Sequence, residues 1–100
     1  MIGFYTKFTT SAGNRPKLIA MLSQASSAMG KIIGYKLYEV ALDAVDPTIT
    51  AVTEVWTDEA AHDVSLQNEA ARALIAQAMP LMAAPPKQIK FGPVITSWLD

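Results

Sequence analysis

A chain of 100 residues has the size of one domain, 1–100. A domain this small buries a smaller share of its surface than a large one, so a partner subunit is one way for it to gain stability. Eight basic residues against nine acidic ones leave a formal charge of −1 with no Lys/Arg stripe, which argues against nucleic acid as a partner, and the absence of cysteine removes disulfides, thiol catalysis and thiolate-held metals. With 51% hydrophobic and 17% charged residues, the composition is far from that of a disordered chain and rather apolar for a small monomer.

The first segment, MIGFYTKFTT, alternates apolar and polar residues and reads as a strand over residues 1–10, with Ile2, Phe4, Thr6 and Phe8 on one face. It has neither the basic region nor the long apolar core of a signal peptide, and no run in the chain approaches a membrane span, so a soluble, cytoplasmic protein with no membrane partner is expected. SAGN breaks the strand. A helix follows from Asn14 as cap, with Pro16 in its first turn and Leu18, Ile19, Leu22, Ala25 and Met29 at helical spacing, and Gly30 is placed to end it.

KIIGYKLYEVALDA is β-branched and aromatic and predicts a long second strand over Lys31 to Ala44. Asp46 and Pro47 turn the chain, and Thr48 to Trp56 returns as the third strand. Asp58 caps a short helix that runs to Leu66. Asn68 caps a second helical piece with Ala71, Leu74, Ile75 and Ala78 on its inner face, which Pro80 and the following APP close. Lys87 to Leu99 is the predicted fourth strand, interrupted by Gly92 and Pro93 at a bulge or an edge. The order β-α-β-β-α-β predicts an α+β, ferredoxin-like fold: two helical regions covering one face of a four-stranded antiparallel sheet.

Such a sheet with one wet face should show polar residues at every second position, and these strands do not. In the second strand Ile33, Tyr35, Leu37 and Ala41 oppose Ile32, Tyr38, Val40 and Leu42; in the third, Ile49, Ala51 and Val55 oppose Val52 and Trp56. Helices cover only one face. The other is expected to meet a second copy of the same sheet in a two-fold homodimer.

GYKLYEV, EVWTDEAAH and ALIAQAMPLMAAPP, in this order and spanning nearly the whole chain, resemble the antibiotic biosynthesis monooxygenase domain family. The resemblance implies a dimeric α+β barrel of ferredoxin-like subunits. It also implies oxidation of a small aromatic hydroxyl substrate (a phenol, anthrone or hydroquinone) by O₂ with no metal, flavin or other cofactor. Members of that family commonly carry a histidine nine residues after the strand-ending Trp. Here that position is Ser65, and the single histidine, His62, lies one helical turn earlier on the same face.

Chemistry of this kind needs few residue types: a dry pocket, a base of near-neutral pKa and donors for a substrate anion. His62, with an ordinary pKa of about 6.5, is the expected base, and Trp56 is the expected stacking surface for a planar ring. Strand alternation places Tyr35 and Tyr38 on opposite faces, so at most one of them is expected to hydrogen-bond a substrate, and Tyr35 is favoured. Ser65 is a candidate donor, and Arg72 a candidate partner for an oxyanion. Glu54 is expected to pair with Lys36 or Lys90 across strands. One histidine and no cysteine do not make the usual zinc or non-haem iron set within one subunit, and Gly30 and Gly34 fit no phosphate-binding loop. A non-catalytic binding protein or structural dimer of the same fold is the alternative expectation.

Overall fold

The computed structural model describes residues 1–29 and 34–95. Four strands, β1 (Ile2–Thr9), β2 (Tyr35–Leu42), β3 (Ile49–Trp56) and β4 (Lys87–Phe91), pair antiparallel in the spatial order β2-β3-β1-β4. Helices α1 (Arg15–Met29), α2 (Glu59–Ser65) and α3 (Glu69–Ala78) complete a ferredoxin-like α+β fold, and α3 runs into a 3-10 turn at Met79–Leu81. Among the described residues no helix is long and apolar enough to cross a membrane.

The strands are built as their side-chain alternation requires. In β3, Thr50, Val52, Glu54 and Trp56 are buried beneath the helices, while Ala51, Thr53 and Val55 are half-buried on the other face. Leu18 and Leu22 of α1 pack on Val52, and Phe4, Trp56 and Ala71 form a second cluster; Tyr38 packs against both. The local signals hold the elements in place. The Asp58 carboxylate accepts from Ala61 N at 2.8 Å to cap α2, and the Asn68 side chain accepts from Ala71 N at 3.1 Å to cap α3. Between β2 and β3, Asp43 accepts from Val45 N and Asp46 N and Asp46 accepts from Thr48 N, while Arg15 Nη1 at the start of α1 donates to the Asp46 and Ile49 carbonyls.

Three sequence expectations change. The second strand begins at Tyr35, with residues 30–33 outside the described part, and it ends at Leu42 because Asp43 folds its side chain back over the turn. The fourth strand ends at Phe91 instead of Leu99: Pro93 has no N–H to give, so regular pairing stops at Gly92, beyond which Val94 N still donates to the Met1 carbonyl at 3.0 Å, and 96–99 lie outside the described part. It does occupy the edge of the sheet, as Gly92 and Pro93 suggest. Third, an extra residue between Tyr35 and Leu37 forms a bulge against Trp56 and Val55. The bulge resets the alternation, so Tyr35 joins Tyr38 on the helix side of the sheet instead of opposing it.

The open face carries Leu37, Val55, Gly3 and Phe91 in one register row across all four strands, flanked by Tyr5 beside Ile89. Gly3 lets the Phe91 ring lie flat on it; a Cβ there would meet the ring tip and turn it aside.

Candidate functional site

A cavity of about 190 Å³ lies between the helix-side face of the sheet and helices α1 and α3. Its walls are mostly apolar: Leu18, Met21, Leu22 and Ala25 come from α1, Leu74, Ile75 and Ala78 from α3, and Met79 and Met82 from the segment after it. Five polar side chains break this lining, namely Thr6, Tyr38, Glu54, His62 and Gln88. An apolar pocket with a few convergent polar groups is the usual form of a small-molecule site.

The strand register decides which polar groups meet. Tyr38 of β2 stands directly opposite Glu54 of β3, and Thr6 of β1 opposite Gln88 of β4, where Gln88 Nε2 donates to Thr6 Oγ1 at 3.0 Å. Glu54 is only 8% exposed and accepts one hydrogen bond, from Trp56 Nε1 at 3.3 Å. Burial pushes its carboxyl pKa above the usual carboxylate range, and the indole N–H holds back part of that rise. The Tyr38 phenol is likewise raised, first by burial and then by the nearby Glu54 charge and by Tyr35, so it stays protonated at neutral pH.

His62 enters from α2 and is 5% exposed. Its ring stacks on Phe4 at 3.8 Å between centroids and meets Trp56 edge-on at 5.9 Å. Nδ1 is sealed from solvent without a hydrogen bond; the nearest carboxylate oxygen, Asp63 Oδ1, lies at 3.8 Å, too far to make one. Burial lowers the imidazole pKa below 6.5 against the opposing pull of Asp63 and Glu59, which leaves the ring neutral at physiological pH.

Of the five residues singled out in the sequence, the structure brings His62 alone to the cavity wall. Trp56 is fully buried behind it, and its indole N–H is used on Glu54. Tyr35 packs edge-on against Trp56 at 5.8 Å and does not line the cavity, whereas Tyr38 does. Ser65 shares the buried side of α2 with His62, but its hydroxyl donates to the His62 carbonyl at 2.6 Å and is spent on its own helix. Arg72 is exposed on α3 and off the cavity, while its neighbour Ala71 faces inward.

Glu54 also departs from expectation. Lys90 pairs with Glu59, 2.9 Å away, and Lys36 is exposed at the bulge, so the cross-strand ion pair gives way to a hydrogen bond from an indole. A signal for Glu54 was present in the sequence: it sits between Val52 and Trp56 on the buried phase of β3, as a carboxylate in an apolar row. Among the described residues no three His, Cys, Asp or Glu side chains converge as a metal-ligand set.

The same fold occurs in solved structures. A Chloroflexus aurantiacus protein that bears the name of an antibiotic biosynthesis monooxygenase is 31% identical, with 99% of this chain and 98% of that one covered and a TM-score of 0.87. A Nitrosomonas europaea protein of the same name aligns at 13% identity over 95% of this chain and 100% of its own, with a TM-score of 0.89. A Mycobacterium tuberculosis protein aligns at 18% over 96% and 97%, with a TM-score of 0.87; at such identities the likeness concerns the fold alone. No curated protein matches the sequence. The family profile described as antibiotic biosynthesis monooxygenase matches residues 1–77, and with the 31% identity over nearly the full length it follows that the chain belongs to the antibiotic biosynthesis monooxygenase family.

Proposed function

We propose that this protein is a cofactor-independent monooxygenase that oxidises a small aromatic hydroxyl compound, of hydroquinone, anthrone or phenol type, with O₂. The observation that carries this reading is the apolar cavity of about 190 Å³, broken only by Thr6, Tyr38, Glu54, His62 and Gln88, in a chain of this family. Once the substrate loses its hydroxyl proton, the anion gives one electron to O₂ and the radical pair recombines at carbon. Loss of water from the resulting peroxide leaves one oxygen atom on the ring and sends the other to water. The protein supplies dryness, a proton acceptor and donors for the anion. In this reading neutral His62 hydrogen-bonds the substrate at the cavity wall, and Trp56 acts through Glu54 instead of stacking on the ring.

The working unit is a homodimer joined through the open sheet face. The row Leu37, Val55, Gly3 and Phe91 is apolar from edge to edge, and Ile89 beside it is 62% exposed in one subunit. A second copy of this face is self-complementary about a two-fold axis, which is what a sheet-on-sheet contact requires.

Oxygen uptake by metal-free protein with a dihydroxynaphthalene, measured against autoxidation, tests the reaction. Acceleration that saturates with substrate is expected. A rate equal to the control would favour a binding protein without turnover, the reading that the Ser65 hydroxyl, tied back to its own helix, also favours.

A further inference from the structure

Among the described residues no cation pairs with Glu54, a buried carboxyl. It lines an apolar cavity, Lys90 is engaged by Glu59, and one hydrogen bond from Trp56 uses only part of a carboxylate's accepting capacity. A group so placed carries a solvation cost that folding alone does not explain, because Val or Leu would fill the same row of β3 with Val52 and Trp56. We propose that Glu54 is the group that takes the substrate's hydroxyl proton, and that the Tyr38 hydroxyl opposite it on β2 donates to the oxyanion left behind. The assignment rests on the monooxygenase reading of the cavity and moves the base from His62 to Glu54.

The step is balanced. The O–H bond of the substrate breaks, its proton forms an O–H bond on the Glu54 carboxylate, and the electron pair stays on the substrate oxygen. One negative charge is thereby moved within the cavity. Proton transfer to His62 would instead create a new anion and a new cation in apolar surroundings, which costs more where the dielectric is low. His62 has Nε2 alone for a substrate contact, since Nδ1 is sealed and the ring face lies on Phe4 at 3.8 Å.

The environments of the two groups agree with this. Burial makes Glu54 a stronger base than an ordinary carboxylate and His62 a weaker one than an ordinary imidazole. The titratable groups facing Glu54 across the cavity are Tyr38 from β2 and His62 from α2. β1 and β4 contribute neutral Thr6 and Gln88, and α1 and α3 contribute apolar side chains.

The test combines turnover with a redox-inert ligand. With a dihydroxynaphthalene, kcat/KM of the parent should rise with pH through a limb above the ordinary carboxylate range. Glu54→Gln should lower it by about 10²-fold or more and abolish that limb. Glu54→Asp, which keeps the carboxyl, should retain the limb at a reduced rate, and so tests the assignment even if the amide folds poorly. Tyr38→Phe should lower the rate and leave the limb, as should His62→Gln. In parallel, at pH 8, where free 4-nitrophenol is the yellow phenolate, the parent should bind it still yellow with uptake of about one proton, held on Glu54, and Glu54→Gln should bind it yellow without that uptake. An active parent whose Glu54→Gln variant keeps both rate and limb, with the limb lost in His62→Gln, would overturn the assignment and spare the monooxygenase. A parent that never exceeds autoxidation yet takes up that proton at Glu54 would sink the monooxygenase and support the proton acceptor. If the parent neither turns over nor takes up that proton, both readings fall.

Discussion

The indole N–H of Trp56 donates to the carboxylate of Glu54, two positions earlier on the same strand face, at 3.3 Å. The relationship ties Trp56, the large buried aromatic that ends the Glu-Val-Trp motif of EVWTDEAAH, to the cavity it does not itself line. Strand geometry makes it possible, since residues two apart project from one face. The motif is thus a means of holding a carboxyl group at an apolar wall.

Trp56→Phe tests that coupling. A smaller aromatic ring replaces the indole and the donor is removed, so Glu54 loses the one contact that lowers its pKa. The acidic limb of kcat/KM should move to higher pH, and the variant should be less stable by about 1.5–3 kcal/mol for the hydrogen bond to a charged group, with the cost of the space left around the smaller ring added to it, as read from urea unfolding. A limb that stays where it was would separate the indole from the carboxyl.

Stability should respond to pH with opposite signs at the two buried groups. Glu54 has a raised pKa in the folded state, so its contribution is full below the unfolded carboxyl value and is lost as pH rises through the folded value. Glu54→Gln should therefore melt higher than the parent near pH 8, with the gap closing toward pH 4. His62 has a lowered pKa, so its contribution is present above the unfolded value of about 6.5 and is lost as pH falls through the folded one. Calorimetry of His62→Gln should show a shallower loss of stability on acidification below pH 6.5 than the parent shows.

The open face should govern assembly. Sedimentation equilibrium at micromolar concentration should give a dimer, with an interface above about 2,000 Å² in total. Val55→Asp, in the middle of the register row beside Leu37 and Gly3, should shift it to monomer. A parent that remains a folded monomer would mean that the apolar row needs no partner.

Gly3→Ala should destabilise the fold by about 1 kcal/mol, the low end of overpacking, because the added methyl meets the far end of the exposed Phe91 ring and turns it aside. Adding Phe91→Ala should recover part of that loss, measurable as a coupling in a double-mutant cycle by chemical denaturation. Equal losses with and without Phe91 would place the strain elsewhere.

The amino-acid sequence by itself determined the element order, the caps of α2 and α3, and the family. Each is written in local contacts or in short motifs: Asp58 and Asn68 reach amides three residues away, and Ile49 to Trp56 is a Thr-, Val- and Ile-rich run that suits an extended backbone. His62 was legible as the single imidazole on a buried helix face. What only the tertiary structure decided is which side chains share a cavity. Tyr35 and Tyr38 change their relation through one inserted residue, a bulge that no periodicity announces, and Glu54 and Tyr38 become neighbours through a register set between β2 and β3. Ser65 and Arg72 kept plausible chemistry at the level of composition. In three dimensions the Ser65 hydroxyl bonds the nearby carbonyl of its own helix, and a turn of about 100° per residue sets Arg72 away from inward-facing Ala71.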